Sequence, residues 1–189
     1  LQVAPGELPV EGLQAEDADL VTLVVDDAHF ASANPFVDWQ VSKNVPLTSR
    51  RVSIMRLGTA HAVQSAEGLL GGEEGSIVVI SADMPLLKVE TLRKLVDERL
   101  NNDGLMSLLT VHSRNPRGFG RIIRNGNGSV VGIVEEAQAT PEQLAIDELN
   151  VGAYCFDARW LWQALKKIGL SPKGEYYLTD VVEIAVSEG

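Results

Sequence analysis

Apolar residues arrive in compact runs along the chain, and the period of the polar residues between them changes from run to run. "DLVTLVVDD" (19–27) is apolar almost throughout, as expected of a strand covered on both faces. Before it, residues 1–18 carry two prolines, two glycines and no period, and read as irregular. The stretch 28–49 has no strong pattern. "RRVSIMR" (50–56) alternates and predicts a strand, and "TAHAVQSAEGLL" (59–70) predicts a helix with Thr59 as N-cap, stopped by Gly71-Gly72. "SIVVISA" (76–82) is a second buried strand. "VETLRKLVDERL" (89–100) is an amphipathic helix with Leu92, Leu95, Val96 and Leu100 on one face, and "LMSLLTVHS" (105–113) is a third buried strand. This βαβαβ order predicts an α/β fold built on a mostly parallel sheet with helices on both faces.

Beyond residue 115 the runs shorten. "GRIIRNGNGSVVGIVEE" predicts two strands around Asn125-Gly126-Asn127-Gly128, residues that tolerate positive φ in a hairpin turn. "TPEQLAI" starts a helix with Thr140 as N-cap, Pro141 at its first position and Gln143 at its third. "NVGAYCFD" (150–157) is a strand, "RWLWQALKKIG" (159–169) a helix ended by Gly169, and "LTDVVEIAVSEG" (178–189) a last helix. No internal repeat is visible.

Composition narrows the class. With 189 residues, 45% hydrophobic and 22% charged, the chain is expected to form one soluble globular domain over residues 1–189. Its 16 basic and 26 acidic side chains give a net charge of −10, which argues against nucleic acid or an anionic membrane as partner. An anionic substrate then needs a local site. The single cysteine, Cys155, excludes a disulfide framework, and with no secretion signal or membrane span this points to the cytoplasm. A homo-oligomer, with Trp160 or Trp162 at a subunit contact, stays open.

The candidate chemistry begins where the apolar run Ile77–Ile80 delivers the chain into Asp83. In open parallel sheets ligands bind beyond the carboxyl ends of strands, and one carboxylate there can hold Mg²⁺ together with substrate phosphates and water. The plainer alternative is a cap for the turn into the next helix. "RLGTAHA" places Gly58 and Thr59 at a strand-to-helix turn where a helix N-terminus can meet a base or phosphate, or simply be capped. "NPRGFGRIIR" sets Gly118 and Gly120 around Phe119, and "IVEE", "ELNVGAY" and "GEYYLTD" add Glu135, Asn150, Tyr177 and Thr179, each with an ordinary structural explanation when taken singly. His29, His61 and His112 have no nucleophile or carboxylate at catalytic spacing and read as structural.

In order, "LGTAHAV", "ADMPLL", "ETLRKL", "RGFGRIIR", "GIVEEAQATPEQLAIDELNVGAYCFD" and "GEYYLTDVVEIA" resemble the bacterial N-acetylglucosamine-1-phosphate uridylyltransferases, also called UDP-N-acetylglucosamine pyrophosphorylases, which form the amino-terminal half of a bifunctional enzyme. The likeness covers about residues 50–189. It implies a Rossmann-like nucleotidyltransferase sheet with an inserted β-hairpin on the sugar side. It also implies that Gly58 and Thr59 lie against the nucleotide with Ser81 and Ala82, and that Asp83 is the catalytic residue holding Mg²⁺. Gly120, Glu135, Asn150, Tyr177 and Thr179 would bind the amino sugar. The implied reaction joins UTP and N-acetylglucosamine 1-phosphate into the nucleotide sugar and pyrophosphate.

The sequence departs from that family in places. The glycine-rich loop and lysine that hold a triphosphate have no counterpart in residues 1–18, and the first basic residue is Lys43. Ser53 stands where the family has a uracil-reading glutamine, Ala60 and Ala82 stand for glycines, and Ala137 for a lysine. The expectation is a domain lacking the family's first strand, its loop and the acetyltransferase β-helix. Two readings follow: an Mg²⁺-dependent sugar-1-phosphate nucleotidyltransferase, or a non-catalytic sugar-nucleotide-binding or assembly subunit on the same scaffold.

Overall fold

The computed structural model describes residues 20–25, 37–43, 45–52, 57–72, 74–81, 84 and 87–189. Its strands are β1 (Leu20–Val25), β2 (Val37–Lys43), β3 (Val45–Val52), β4 (Ser76–Ser81), β5 (Met106–His112), β6 (Arg121–Arg124), β7 (Val130–Val134) and β8 (Glu148–Asp157). The helices are α1 (Thr59–Gln64), α2 (Glu67–Leu70), α3 (Val89–Leu100), α4 (Pro141–Leu144), α5 (Ala158–Leu165) and α6 (Asp180–Glu188). The strands form one eight-stranded sheet in the order β3-β2-β1-β4-β8-β6-β7, with β5 also paired to β8.

The expected mostly parallel sheet is corrected. Among the described pairings only β1 with β4 is parallel, and the others are antiparallel. The reason lies in β8. It returns after the β6–β7 hairpin and runs antiparallel to both β4 and β5, so these two point the same way without touching. Each apolar run announces a strand, but not which strand will be its neighbour. The unpatterned stretch 28–49 contributes β2 and the start of β3 as an antiparallel pair.

Helices do cover both faces. Alternate residues of β4 divide between two cores, Ile77 and Val79 packing with α1, α5 and α6, and Val78 and Ile80 packing with Leu95 and Val96 of α3. That division explains why β4 is apolar at every position from Ile77 to Ile80 instead of every second one. Trp162 is 3% exposed in the first core, while Trp160 lies partly buried beside it and stacks on Phe156.

Local sequence chemistry accounts for several boundaries. The α4 capping box forms as expected, with Thr140 Oγ1 accepting from Gln143 N and Gln143 Oε1 accepting from Thr140 N. The β6–β7 turn closes through Asn125, whose Oδ1 accepts from the amides of Asn127 and Ser129, and through Gly128 at φ +82°. The predicted helix 59–70 breaks in two at Ser65-Ala66, and the helix predicted for 159–169 ends at Leu165.

Candidate active site

The amino end of α1 is tied to the segment that leads into α6. Tyr176 N donates to Leu57 O (2.6 Å), Ala60 N to Tyr176 O (3.0 Å) and Leu178 N to Thr59 Oγ1 (3.0 Å). Thr59 is therefore not the expected N-cap. That position belongs to Gly58, and the Thr59 hydroxyl is spent holding residues 176–178. Gly58 has φ +98°, and a Cβ there would lie 2.8 Å from the Tyr176 nitrogen and nearer still to its carbonyl oxygen. Only glycine allows this crossing. The methyl of Ala60 belongs to the core, 2% exposed.

The same segment carries Tyr177 and Thr179. Thr179 is 5% exposed and donates from its hydroxyl to Glu135 Oε1 at 2.9 Å, joining the start of α6 to the end of β7. Asp180, the first residue of α6, has its carboxyl held above the usual range by burial first, then by the charges of Glu183 and Glu135. Burial likewise raises the Tyr177 phenol, with Glu175 and Glu135 adding to the shift. Glu135 thus lies among polar groups from β7, the 176–179 segment and α6.

Gly120 and Asn150 meet at the junction of β6 and β8. Asn150 N donates to Gly120 O at 2.9 Å, and a Cβ at Gly120 would press to 2.9 Å from Ile133 Cγ2. The Asn150 amide is fixed on both sides, its Oδ1 accepting from Gly152 N (3.2 Å) and its Nδ2 donating to the Tyr154 hydroxyl (2.7 Å). Ser81, the last residue of β4, reaches the same place from the other side, since a Cβ on Gly152 would sit 3.0 Å from Ser81 Oγ.

Four expected sugar-side residues, Gly120, Glu135, Asn150 and Thr179, are thereby held in two hydrogen-bonded pairs, with Tyr177 close enough to sense the Glu135 charge. Gly58 and Thr59 are joined to them through 176–178, and Ser81 through Gly152. Ala82, Asp83 and Ser53 lie outside the described residues. Lys88 holds the N-cap position of α3 with no side-chain cap.

Two features escaped the sequence reading. Arg121, 1% exposed, reaches Glu136 (3.3 Å) and the carbonyl of Phe119, and Glu136 also accepts from Gly118 N (2.8 Å), so this pair holds the glycine loop ahead of β6. The other is Tyr154, whose phenol looks like ordinary core until its partner is known. A strand reading Asn-x-Gly-x-Tyr, with all three on one face, was the available signal.

Among the described residues, no group of three or more His, Cys, Asp and Glu could hold a metal ion, and no helix is long and apolar enough to cross a membrane. The sequence is 45% identical over 135 residues to the bifunctional protein GlmU of Enterococcus faecalis and, equally, to that of Bacillus thuringiensis. These matches cover 71% of this chain but only 30% and 29% of the relatives' lengths, so the chain spans under a third of them. A UDP-glucose pyrophosphorylase solved with UDP-glucose shares the fold at TM-score 0.53 and 16% identity, over 72% of this chain and 53% of that one. So does a Bacillus anthracis protein assigned as a glucose-1-phosphate thymidylyltransferase, solved with sucrose, at TM-score 0.55 and 23% identity over 72% and 52%. Residues 11–189 match the model of the nucleotidyl transferases, and with the sheet, the hairpin and the joined polar residues in place, this chain belongs to the nucleotidyl transferase family.

Proposed function

We propose that this chain is the nucleotidyl-transfer domain, over residues 1–189, of a cytoplasmic sugar-1-phosphate uridylyltransferase that forms UDP-N-acetylglucosamine and pyrophosphate from UTP and N-acetylglucosamine 1-phosphate. One observation carries the reading: Thr179–Glu135 and Asn150–Gly120 are hydrogen-bonded pairs drawn from four segments far apart in sequence, tied by Thr59 to the amino end of α1. Bonding of this kind holds polar groups from separate segments in fixed positions before a ligand arrives, as a largely preformed binding site requires. The likeness to GlmU relatives supports the choice of amino sugar and uridine.

In this reading a sugar 1-phosphate oxygen attacks the α-phosphorus of UTP and pyrophosphate leaves from the opposite side. The protein needs no covalent nucleophile; its work is alignment. Glu135 accepts and Asn150 both donates and accepts, so together they suit the hydroxyl and acetamido groups of an amino sugar, with Tyr177 closing that side. Gly58, Thr59, Ser81 and Ala82 form the nucleotide side. Asp83 supplies the hard oxygen donor that Mg²⁺ prefers, and bound Mg²⁺ would offset the phosphate charge. Ser53, Ala60 and Ala137, which stand inside the chain where the resembled family has other residues, favour a second reading, a sugar-nucleotide-binding subunit without turnover.

Calorimetric titration with UDP-N-acetylglucosamine, with and without Mg²⁺, tests both readings, with UTP in parallel. Saturable binding of both ligands, with Mg²⁺-dependence lost in Asp83→Asn, supports the enzyme. Binding of the nucleotide sugar alone selects the second reading. Binding of neither ligand overturns both.

A further inference from the structure

We propose that Tyr154 is a positioning residue of the sugar pocket, locking the Asn150 side-chain amide in one orientation through its hydroxyl. The proposal rests on the function proposed above for Asn150 and adds a residue to it. The orientation follows from chemistry alone. Gly152 N is a backbone donor, so the Asn150 atom that meets it at 3.2 Å must be the oxygen. The amide nitrogen is then forced toward Tyr154, where the phenol oxygen accepts at 2.7 Å. One amide N–H and one oxygen lone pair remain. They match a ligand group that itself offers an acceptor and a donor, such as a sugar hydroxyl pair or an acetamido group.

Three features hold the lock in place. Gly152 has φ +83° within β8, and the β5–β8 register shifts between Leu108 and Thr110, so β8 carries an irregularity that aims its amide back at Asn150. Ser81 Oγ fills the space beside Gly152, leaving no room for a Cβ without displacement. Tyr154 is 4% exposed and stacks on Phe156 with centroids 5.7 Å apart, so its ring cannot swing away from Asn150. Burial also keeps the phenol neutral far above neutral pH, despite the hydrogen bond from Asn150 that opposes the shift. The acceptor is therefore the same across the working range.

The test is Tyr154→Phe, which keeps the ring and its packing and removes only the oxygen. The Asn150 side-chain amide is followed by ¹H–¹⁵N NMR in the free chain, and UDP-N-acetylglucosamine and UTP are titrated by calorimetry. The expected result is an unchanged fold and UTP affinity, an Asn150 side-chain N–H signal that moves upfield and exchanges faster with solvent once its acceptor is gone, and about tenfold weaker sugar-nucleotide binding, the scale of one hydrogen bond. Unchanged Asn150 amide signals in Tyr154→Phe would overturn the proposal, as would altered signals with unchanged sugar-nucleotide affinity. If the wild-type chain binds no sugar nucleotide, the functional reading fails, and with it the assignment of Asn150 to a sugar pocket; the NMR signals still decide whether Tyr154 orients the amide.

Discussion

Gly58 and Gly128 both hold positive φ, +98° and +82°, yet they should tolerate a methyl group very differently. Nothing lies within 4 Å of a Cβ built on Gly128, so Gly128→Ala carries only the left-handed backbone cost of about 1 kcal/mol. A Cβ on Gly58 meets the Tyr176 backbone, which cannot move without breaking the hydrogen bonds from Ala60 and to Leu57. Gly58→Ala should therefore cost about 3 kcal/mol or more in urea unfolding, combining strain with lost hydrogen bonds. It should also weaken ligand binding, because Tyr177 and Thr179 follow the displaced residue. Equal costs for the two substitutions would show that the crossing of Gly58 and Tyr176 is unimportant. The sequence marked Gly58 as a turn glycine near a ligand. It could not reveal that the closest neighbour of Gly58 is the chain itself, because Tyr176 lies 118 positions further on, a separation that no local pattern reports.

Helix starts can be ranked by what each cap does besides capping. Thr140 caps the one-turn α4 at an exposed site, so Thr140→Ala should cost about 1 kcal/mol or less. Asp157 accepts from Trp160 N at 2.9 Å, opening α5, and takes Arg99 at 2.6 Å. Its removal loses a cap and leaves the Arg99 side chain, 15% exposed, without its carboxylate, so Asp157→Ala should cost about 2–4 kcal/mol. Urea unfolding of the two variants checks the ranking, and a cost at Asp157 no greater than at Thr140 would contradict it. The α4 box was legible because all its parts fall within four residues. At Asp157 the capping residue closes a strand and the other partner comes from α3, so the sequence placed that helix start one residue late and without a cap. The same limit explains α1, where Thr59 looks like a cap by spacing but bonds to Leu178. Elements built from local patterns, α3 and the β6–β7 hairpin among them, were read almost to the residue.

At the scale of the molecule, the insertion of β8 between β4 and β5 turns an expected parallel sheet into a mostly antiparallel one, and two carboxylates, Glu148 in β8 and Asp180 in α6, pull stability in opposite directions with pH. Glu148 opens β8 with its side chain 9% exposed and is gripped by Arg124 Nε at 2.7 Å and Nη2 at 2.6 Å. The Arg124 hydrogen bonds hold its carboxyl below the ordinary 4.5, against burial. Its stability is therefore present above pH 4.5 and lost as pH falls through the lower folded value. Asp180 behaves oppositely. Burial, Glu183 and Glu135 raise it above 3.8, outweighing the α6 dipole, which favours a carboxylate in the first turn by about 0.3–1 kcal/mol. The folded state prefers this group neutral, so its contribution is complete below pH 3.8 and is lost as pH rises through the raised value. Glu148→Gln should thus lower stability near pH 7 by about 1–2 kcal/mol, allowing for the exposed Arg124, and the gap should close as pH falls below 4.5. Asp180→Asn should raise stability near pH 7 and match the wild type at pH 3.5. Urea unfolding of both variants at pH 7, 5 and 3.5 gives the comparison. An Asp180→Asn protein less stable than the wild type at pH 7 would mean that the helix dipole, and not burial beside Glu135 and Glu183, governs the entrance to α6.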